Sequence, residues 1–315
     1  VDDSGSLDGS ITISSNGTLG AATSTGPSFT ITLDGDLENN GTFGMQSGNT
    51  VSTITFASTS ANGGTQEIRG TGTTFRLGTV DPGGSTVTVS SDINIAGGIT
   101  GSSGTLDAST NTITFAGING PPQITVGGSA TLNLGSVTVN SANGVQLDRS
   151  LTVEGTLTLT DGDLDIQGND LFLNGNLNQS NGTASSSTGR FIFQGGGAQT
   201  LTASAGASLT DFTVDGTTLT VDAAGATLGT VTLTNSSTLD IINVTTQLDL
   251  AGNLIVESGS AVDFGPIAGP LVVDGFADVD GTLTLSENSG GDIQLTGDFD
   301  LTNGTFNPDR RTVTL

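Results

Sequence analysis

The amino-acid sequence predicts an all-β fold, a parallel β-solenoid (β-helix) with coils of roughly 20 residues and essentially no helix. Three observations carry that prediction: apolar residues alternate with polar ones in short runs, turn residues punctuate the runs, and one phrase recurs along the chain. The expected organisation is a single continuous solenoid over residues 1–315, with irregular super-repeats beginning near residues 35, 112, 175 and 297.

The alternation is clearest in "STVTVSSDINIAG" (85–97), "LTVEGTLTLTDGDLDIQG" (151–168) and "GTVTLTNSSTLDII" (229–242), where apolar residues occupy every second position for three to six residues. Side chains on a strand point alternately to opposite faces, so these segments read as half-buried strands. NG, DG, GG and SNG turns separate them, because Gly and Asn reach positive φ at little cost. No stretch of ten or more residues combines a 3.6-residue period with caps, which is why helix is not expected.

The recurring phrase reads "GDLENNGTF" (35–43), "GNLNQSNGTA" (175–184) and "GDFDLTNGTF" (297–306). The copies run on into "TITF" (53–56), "RFIF" (190–193) and "TVTL" (312–315), and a further "TITF" stands at 112–115. After the Phe comes a Gly-rich turn and then Gln with an apolar residue close behind: Gln66 and Ile68, Gln123 and Ile124, Gln199 and Leu201. The intervals Phe56–Phe115, Phe115–Phe193 and Phe193–Leu315 are 59, 78 and 122 residues, growing by 19 and then by 44. Those increments match one and then two coils of roughly 20 residues, as a stack requires.

One coil of two or three short strands cannot bury its Val, Ile, Leu and Phe alone. Stacking coils at ~4.8 Å pairs each strand above and below and makes a common core; about 15 coils give a rod on the order of 70 Å. A string of Ig-like sandwiches is the alternative, but its core Trp and Tyr are absent and the phrase does not recur at the ~100-residue interval of such modules. The phrase, the T-x-T-F strand, the glycine turn with Gln, and "LTVEGTLTLTDGDLDIQGNDLFLNG" resemble the repeats of secreted or surface-anchored bacterial β-helix proteins of the adhesin and autotransporter-passenger kind. The resemblance implies adhesins, extracellular fibres or matrix components. It covers core and turn positions and carries over no binding residue.

Composition limits the chemistry. The chain has 49 Gly, 13 Phe and one Met but no Cys, His, Trp, Tyr or Lys, and its six basic residues are all Arg. No thiol nucleophile, disulfide, imidazole base or ordinary zinc site is available. A net charge of -25 excludes a nucleic-acid footprint. No apolar stretch approaches the ~20 residues of a membrane span. Polysaccharide cleavage needs only two carboxylates, but adjacent acids occur only as Asp2 and Asp3, and Trp or Tyr sugar platforms are missing, so the expectation is no enzyme. Thr-x-Thr runs such as Thr30/Thr32, Thr53/Thr55 and Thr86/Thr88 raise ice binding; their irregular intervals favour β-propensity on an outer face.

Two sets of residues stand out. Asp161, Asp163 and Asp165 alternate and so are expected on one strand face; with Asp298 and Asp300 they are the candidate Ca2+ ligands, although neither the EF-hand pattern nor the glycine-rich nonapeptide is present. Solvated turn and face carboxylates are the simpler reading. The second set concerns assembly. "GTFNPDRRTVTL" places Leu315 in the Phe slot of the repeat, as expected of a cut from a longer solenoid or of a strand open to the next subunit. Asp309, Arg310 and Arg311 stand beside that edge and could pair with Asp2 and Asp3 of a neighbour. With no amphipathic capping helix at either end, the partner expected is a second copy joined head to tail, with surface glycans as further partners. The functional expectation is an extracellular, bacterial cell-surface structural or adhesive solenoid, its signal peptide already removed; the alternative is a monomeric carbohydrate-binding or polysaccharide-degrading β-helix.

Overall fold

The computed structural model of the protein describes residues 5–20, 28–47, 50–57, 64–72, 74–117, 121–267 and 269–315. Among these residues all regular structure is β-strand, and the strands pair in parallel except for one short antiparallel pair, Gln46–Ser47 with Thr50–Val51. The chain forms two compact units, Val1–Gly155 with Thr160–Asp165, and Thr156–Leu159 with Ile166–Leu315. Each is a parallel β-solenoid with three strands per coil, the fold class expected from the alternation.

In the first unit one side stacks Gly5–Leu7, Thr30–Leu33, Thr53–Phe56, residues 79–81 and 98–101, Gln123–Val126, Val145–Leu147 and Asp163–Asp165. A second side stacks Ile11–Ile13, Leu37–Asn39, Thr65–Arg69, Thr86–Val89, residues 105–108 and 131–134, and Leu151–Val153. A third runs from Thr18–Gly20 through Thr42–Gly44 and residues 74–76 and 94–95 to 113–115 and 137–139. The second unit repeats the plan: Leu171–Leu173, for example, starts a side that continues through Phe191–Phe193, Phe212–Asp215, Val231–Thr234, Leu254–Val256 and Ala277–Val279 to Phe299–Asp300.

Three residues is the commonest strand length, enough for one or two inward side chains. Stacking turns those into continuous apolar columns. Leu173, Phe193, Val214, Leu233, Val256 and Val279 follow one another in register, each at most 1 % exposed. Removing each such side chain from water contributes about 1.5–3 kcal/mol. Outward positions carry the polar partners, as in Thr65, Thr86, Thr105 and Thr131.

Coil length varies because corners vary. Partners on adjacent coils stand 19 residues apart at Phe212 and Val231, 26 at Thr105 and Thr131, and 31 at Leu37 and Ile68, where the antiparallel pair is inserted. The coils therefore number about 13 rather than the roughly 15 expected. The repeated phrase is not tied to one side of the coil. In the first unit "TITF" at 53–56 lies on the first side, whereas "TITF" at 112–115 lies on the third. Three chemically equivalent sides explain this: a short strand followed by a Gly corner fits any of them. The Thr-x-Thr runs are irregularly spaced for the same reason. Where two share a side they stand in register, as Thr30/Thr32 against Thr53/Thr55.

The glutamines after the Phe strand divide by parity. Gln66 and Gln199 precede their apolar partner by two residues and so point inward, 1 % and 2 % exposed. Gln199 Nε2 donates to the Leu173 and Gly175 carbonyls at 2.7 and 2.9 Å, and Gln66 Nε2 to those of Leu33 and Gly35 at 2.6 and 3.0 Å. Each brackets a corner of the coil before it. Gln123 stands one residue from Ile124, points outward and is exposed. Gln199→Ala therefore costs about 1–3 kcal/mol, because the buried Leu173 carbonyl and the half-buried Gly175 carbonyl lose this donor, while Gln123→Ala leaves the urea midpoint nearly unchanged.

Candidate functional site

The carboxylates are the chemically active groups of this chain, and the structure distributes them. Asp161 ends the strand Leu157–Asp161, Gly162 turns the chain at φ +81°, and Asp163 and Asp165 flank the buried Leu164 on the next strand. The three therefore do not share one strand face, because the Asp-Gly turn separates the first from the others. A Cβ on Gly162 would lie 1.8 Å from the Ser141 carbonyl oxygen, so the corner admits no side chain there. Asp165 Oδ2 accepts from Gln146 Nε2 at 3.3 Å. Asp300 stands in register with Asp278 on the neighbouring coil, and Asp298 precedes it at the corner. The Thr302 hydroxyl, and then its backbone N–H at 2.9 Å, hold the Asp300 carboxyl below its ordinary value. Among the described residues no three acidic, His or Cys side chains form a group that could hold a metal ion.

Many carboxylates serve the corners instead. Asp36 Oδ1 accepts the Glu67 N–H at 2.9 Å, Asp92 that of Thr112 at 2.7 Å, Asp170 that of Arg190 at 3.1 Å, Asp211 that of Thr230 at 2.7 Å and Asp292 that of Thr312 at 2.8 Å. Asn176 and Asn253 do the same for Thr200 and Phe276. In every case the donor lies one coil further on. Backbone N–H groups at a corner have no ladder partner, and an Asp or Asn oxygen supplies one. The acidity of the chain is thus in part a by-product of coil stacking.

Two charge clusters lie on outward faces. Arg69 is surrounded by Asp36 at 3.4 Å, Glu38 at 3.0 Å and Glu67. The Asn40 amide, 2.7 Å from Glu38, and then Arg69 hold the Glu38 carboxyl below its usual range; the Ser90 hydroxyl and then Arg69 do so for Glu67. Both contributions to stability are present above the unfolded carboxylate pKa and are lost as pH falls through the depressed values.

Asp240 and Asp263 are register partners on adjacent coils. Burial and then the Asp263 charge raise the Asp240 carboxyl above its ordinary value. The sign is opposite here: ionisation is penalised in the fold, so this pair destabilises at neutral pH and the penalty disappears as pH falls through the raised value. Asp263→Asn accordingly stabilises by about 0.2–1 kcal/mol at neutral pH, and thermal melts below the carboxylate range show no gain.

The expected assembly residues fall in one turn and one edge. Asp309 and Arg310 adopt φ of 41° and 64°, and the Arg311 N–H closes the turn on the Pro308 carbonyl at 2.7 Å. Two successive positive φ values mark the tight turn that usually takes Asn-Gly. Among the described residues Arg310 and Arg311 enter no ion pair. Leu315 is 80 % exposed, and Asp2 and Asp3 lie outside the described residues. What sequence reasoning missed was the partial burial of two aromatic residues on the adjoining coil. Phe299 and Phe306 are half-buried, their rings edge to face at 5.4 Å, whereas Ala277 and Leu283, one coil earlier in the same columns, are fully buried. In the first unit Leu7 and Leu19 are 47 % and 41 % exposed.

The chain matches no protein-family model, no curated protein and no solved structure.

Proposed function

We propose that this protein is a structural and adhesive β-solenoid of the bacterial exterior, not an enzyme, and that copies of it join head to tail into a fibre or surface layer. The observation that carries the reading is the in-register parallel stack of short strands, a pairing that the strands of a second copy can extend. Phe299–Asp300, Thr305–Asn307 and Val313–Thr314 have a parallel partner on one side. Phe299 and Phe306 keep apolar surface partly exposed, and in the first unit so do Leu7 and Leu19. Both units have the same three-sided layout, so strands of one copy can continue those of another by the pairing used within each unit. Arg310 and Arg311 supply positive charge beside an edge of a chain whose net charge is -25. A composition with one Met and no Cys, Trp or Tyr leaves little to oxidise, which suits long residence outside a cell.

The same edge suits any further coil, so the test uses the 315-residue chain itself. Negative-stain microscopy and sedimentation at rising concentration are expected to show rods that lengthen, shorten in high salt and are lost in Phe306→Asp. Monodisperse particles at high concentration would overturn assembly, and a defined glycan ligand bound by such monomers would favour the carbohydrate-binding alternative.

A further inference from the structure

Asn-Gly recurs in this chain as a corner element, and its glycine N–H is held by an acceptor at some corners and not at others. In "LENNGTF" the Asn39 side chain turns back and its Oδ1 accepts the Gly41 N–H at 3.1 Å. Elsewhere a backbone carbonyl does the same work: Gly17 N–H donates to Ser14 and Gly144 N–H to Ser141, both at 2.7 Å. The second copy, "LNQSNGTA", has Gln179 in the place of Asn39 and one extra residue, Ser180. Gln179 Nε2 is used on the Gly182 and Ser208 carbonyls at 2.8 and 2.7 Å, and its Oε1 is buried without a hydrogen bond. Gly182 N–H has no acceptor among the described residues, and neither do the Gly175 and Gly304 N–H groups that follow Asn174 and Asn303. Ser180 N–H is anchored on the Leu159 carbonyl at 3.0 Å, and Asn181 stands exposed between the two anchored points.

We propose that Asn181 is a site of spontaneous deamidation, a modification that goes beyond the structural role above. Solvent hydroxide takes the proton of the Gly182 N–H, and the nitrogen attacks Asn181 Cγ. The new C–N bond closes a succinimide as the side-chain nitrogen leaves, reprotonated, as ammonia. Water then opens the ring at either carbonyl, giving aspartate or isoaspartate and one more negative charge. Gly182 has no Cβ to obstruct the attack. Gly41, Gly144 and Gly182 are all buried, so what separates them is the acceptor on the amide hydrogen, not exposure. An N–H already held by an acceptor must give up that bond before it can be removed, so Asn181 reacts about five- to tenfold faster than Asn143 or Asn16, the rate equivalent of one hydrogen bond.

The test incubates the folded protein in mildly alkaline buffer and follows each Asn-Gly by peptide mapping with mass spectrometry, beside a sample unfolded in urea. The expected result is that Asn181 converts before Asn16, Asn40 and Asn143 in the folded protein and that the rates at Asn181, Asn143 and Asn16 converge in urea. Equal or slower conversion at Asn181 in the folded protein overturns the proposal. So does an Asn181 advantage that persists undiminished in urea, since that would be a property of local sequence and not of the fold.

Discussion

Phe193→Ala is expected to cost about 3–5 kcal/mol, because a fully buried aromatic leaves both its transfer energy and a cavity behind. Phe193 is 0 % exposed, stacks between Leu173 and Val214 in register, and meets the Phe212 ring edge to face with centroids 5.6 Å apart. The edge of one ring against the face of the other adds about 0.5–1.5 kcal/mol beyond area burial. Collapse cannot heal the gap, since the ladder fixes coil spacing on both sides. A solenoid unfolds by nearest neighbours, so the loss is local. Amide exchange is expected to accelerate in Leu171–Leu173, Phe191–Phe193 and Phe212–Asp215 while Ile293–Leu295 keeps its protection. Phe193→Leu, which refills most of the volume, costs under about 1.5 kcal/mol. Equal exchange in all four segments of the alanine variant would show that the stack unfolds as a whole.

The strands were legible because alternation is a local property. "LTVEGTLTLT" reads as two short strands broken at a turn, and Leu151–Val153 and Leu157–Asp161 are those strands. The parity of Gln123 was equally available: one residue to Ile124 instead of two turns the side chain outward. The separation of Asp161 from Asp163 was signalled too, by the Asp-Gly turn. The corner acceptors were not legible, because Asp92 and Thr112 or Asp211 and Thr230 meet across coils whose lengths vary. No fixed spacing announces them. The same variation hid which side of the coil each copy of the phrase would occupy. The half-burial of Phe299 and Phe306 was not legible either, since the same alternation places their register partners Ala277 and Leu283 fully inside.

Gly78→Ala is the substitution by which coil geometry itself is tested. Residues 74–81 form one strand that passes from the third side of the first unit to the first side without a loop: 74–76 pair with 42–44, and 79–81 with 53–55. Gly78 is the corner, between the buried Leu77 and Thr79. A Cβ there would lie 1.7 Å from the Ser52 carbonyl oxygen, which accepts the Thr79 N–H at 2.9 Å. That oxygen is backbone of the adjoining coil and cannot swing aside, so the alanine forces the two coils apart and lengthens that bond. Gly135, in the similar "NLGSV", is boxed in the same way by the Ser109, Ala108 and Asn111 carbonyls at 2.6 to 2.8 Å. Overpacking and a weakened buried hydrogen bond together place the cost of Gly78→Ala at about 2–4 kcal/mol. Gly44→Ala is the control, since nothing lies within 4 Å of its added Cβ. Its loss of unfolded-chain entropy stabilises by about 0.4–1 kcal/mol. Thermal unfolding followed by the β-sheet circular dichroism signal separates the two. If both alanines behave alike, coil spacing at Gly78 is soft and the corner is not what sets it.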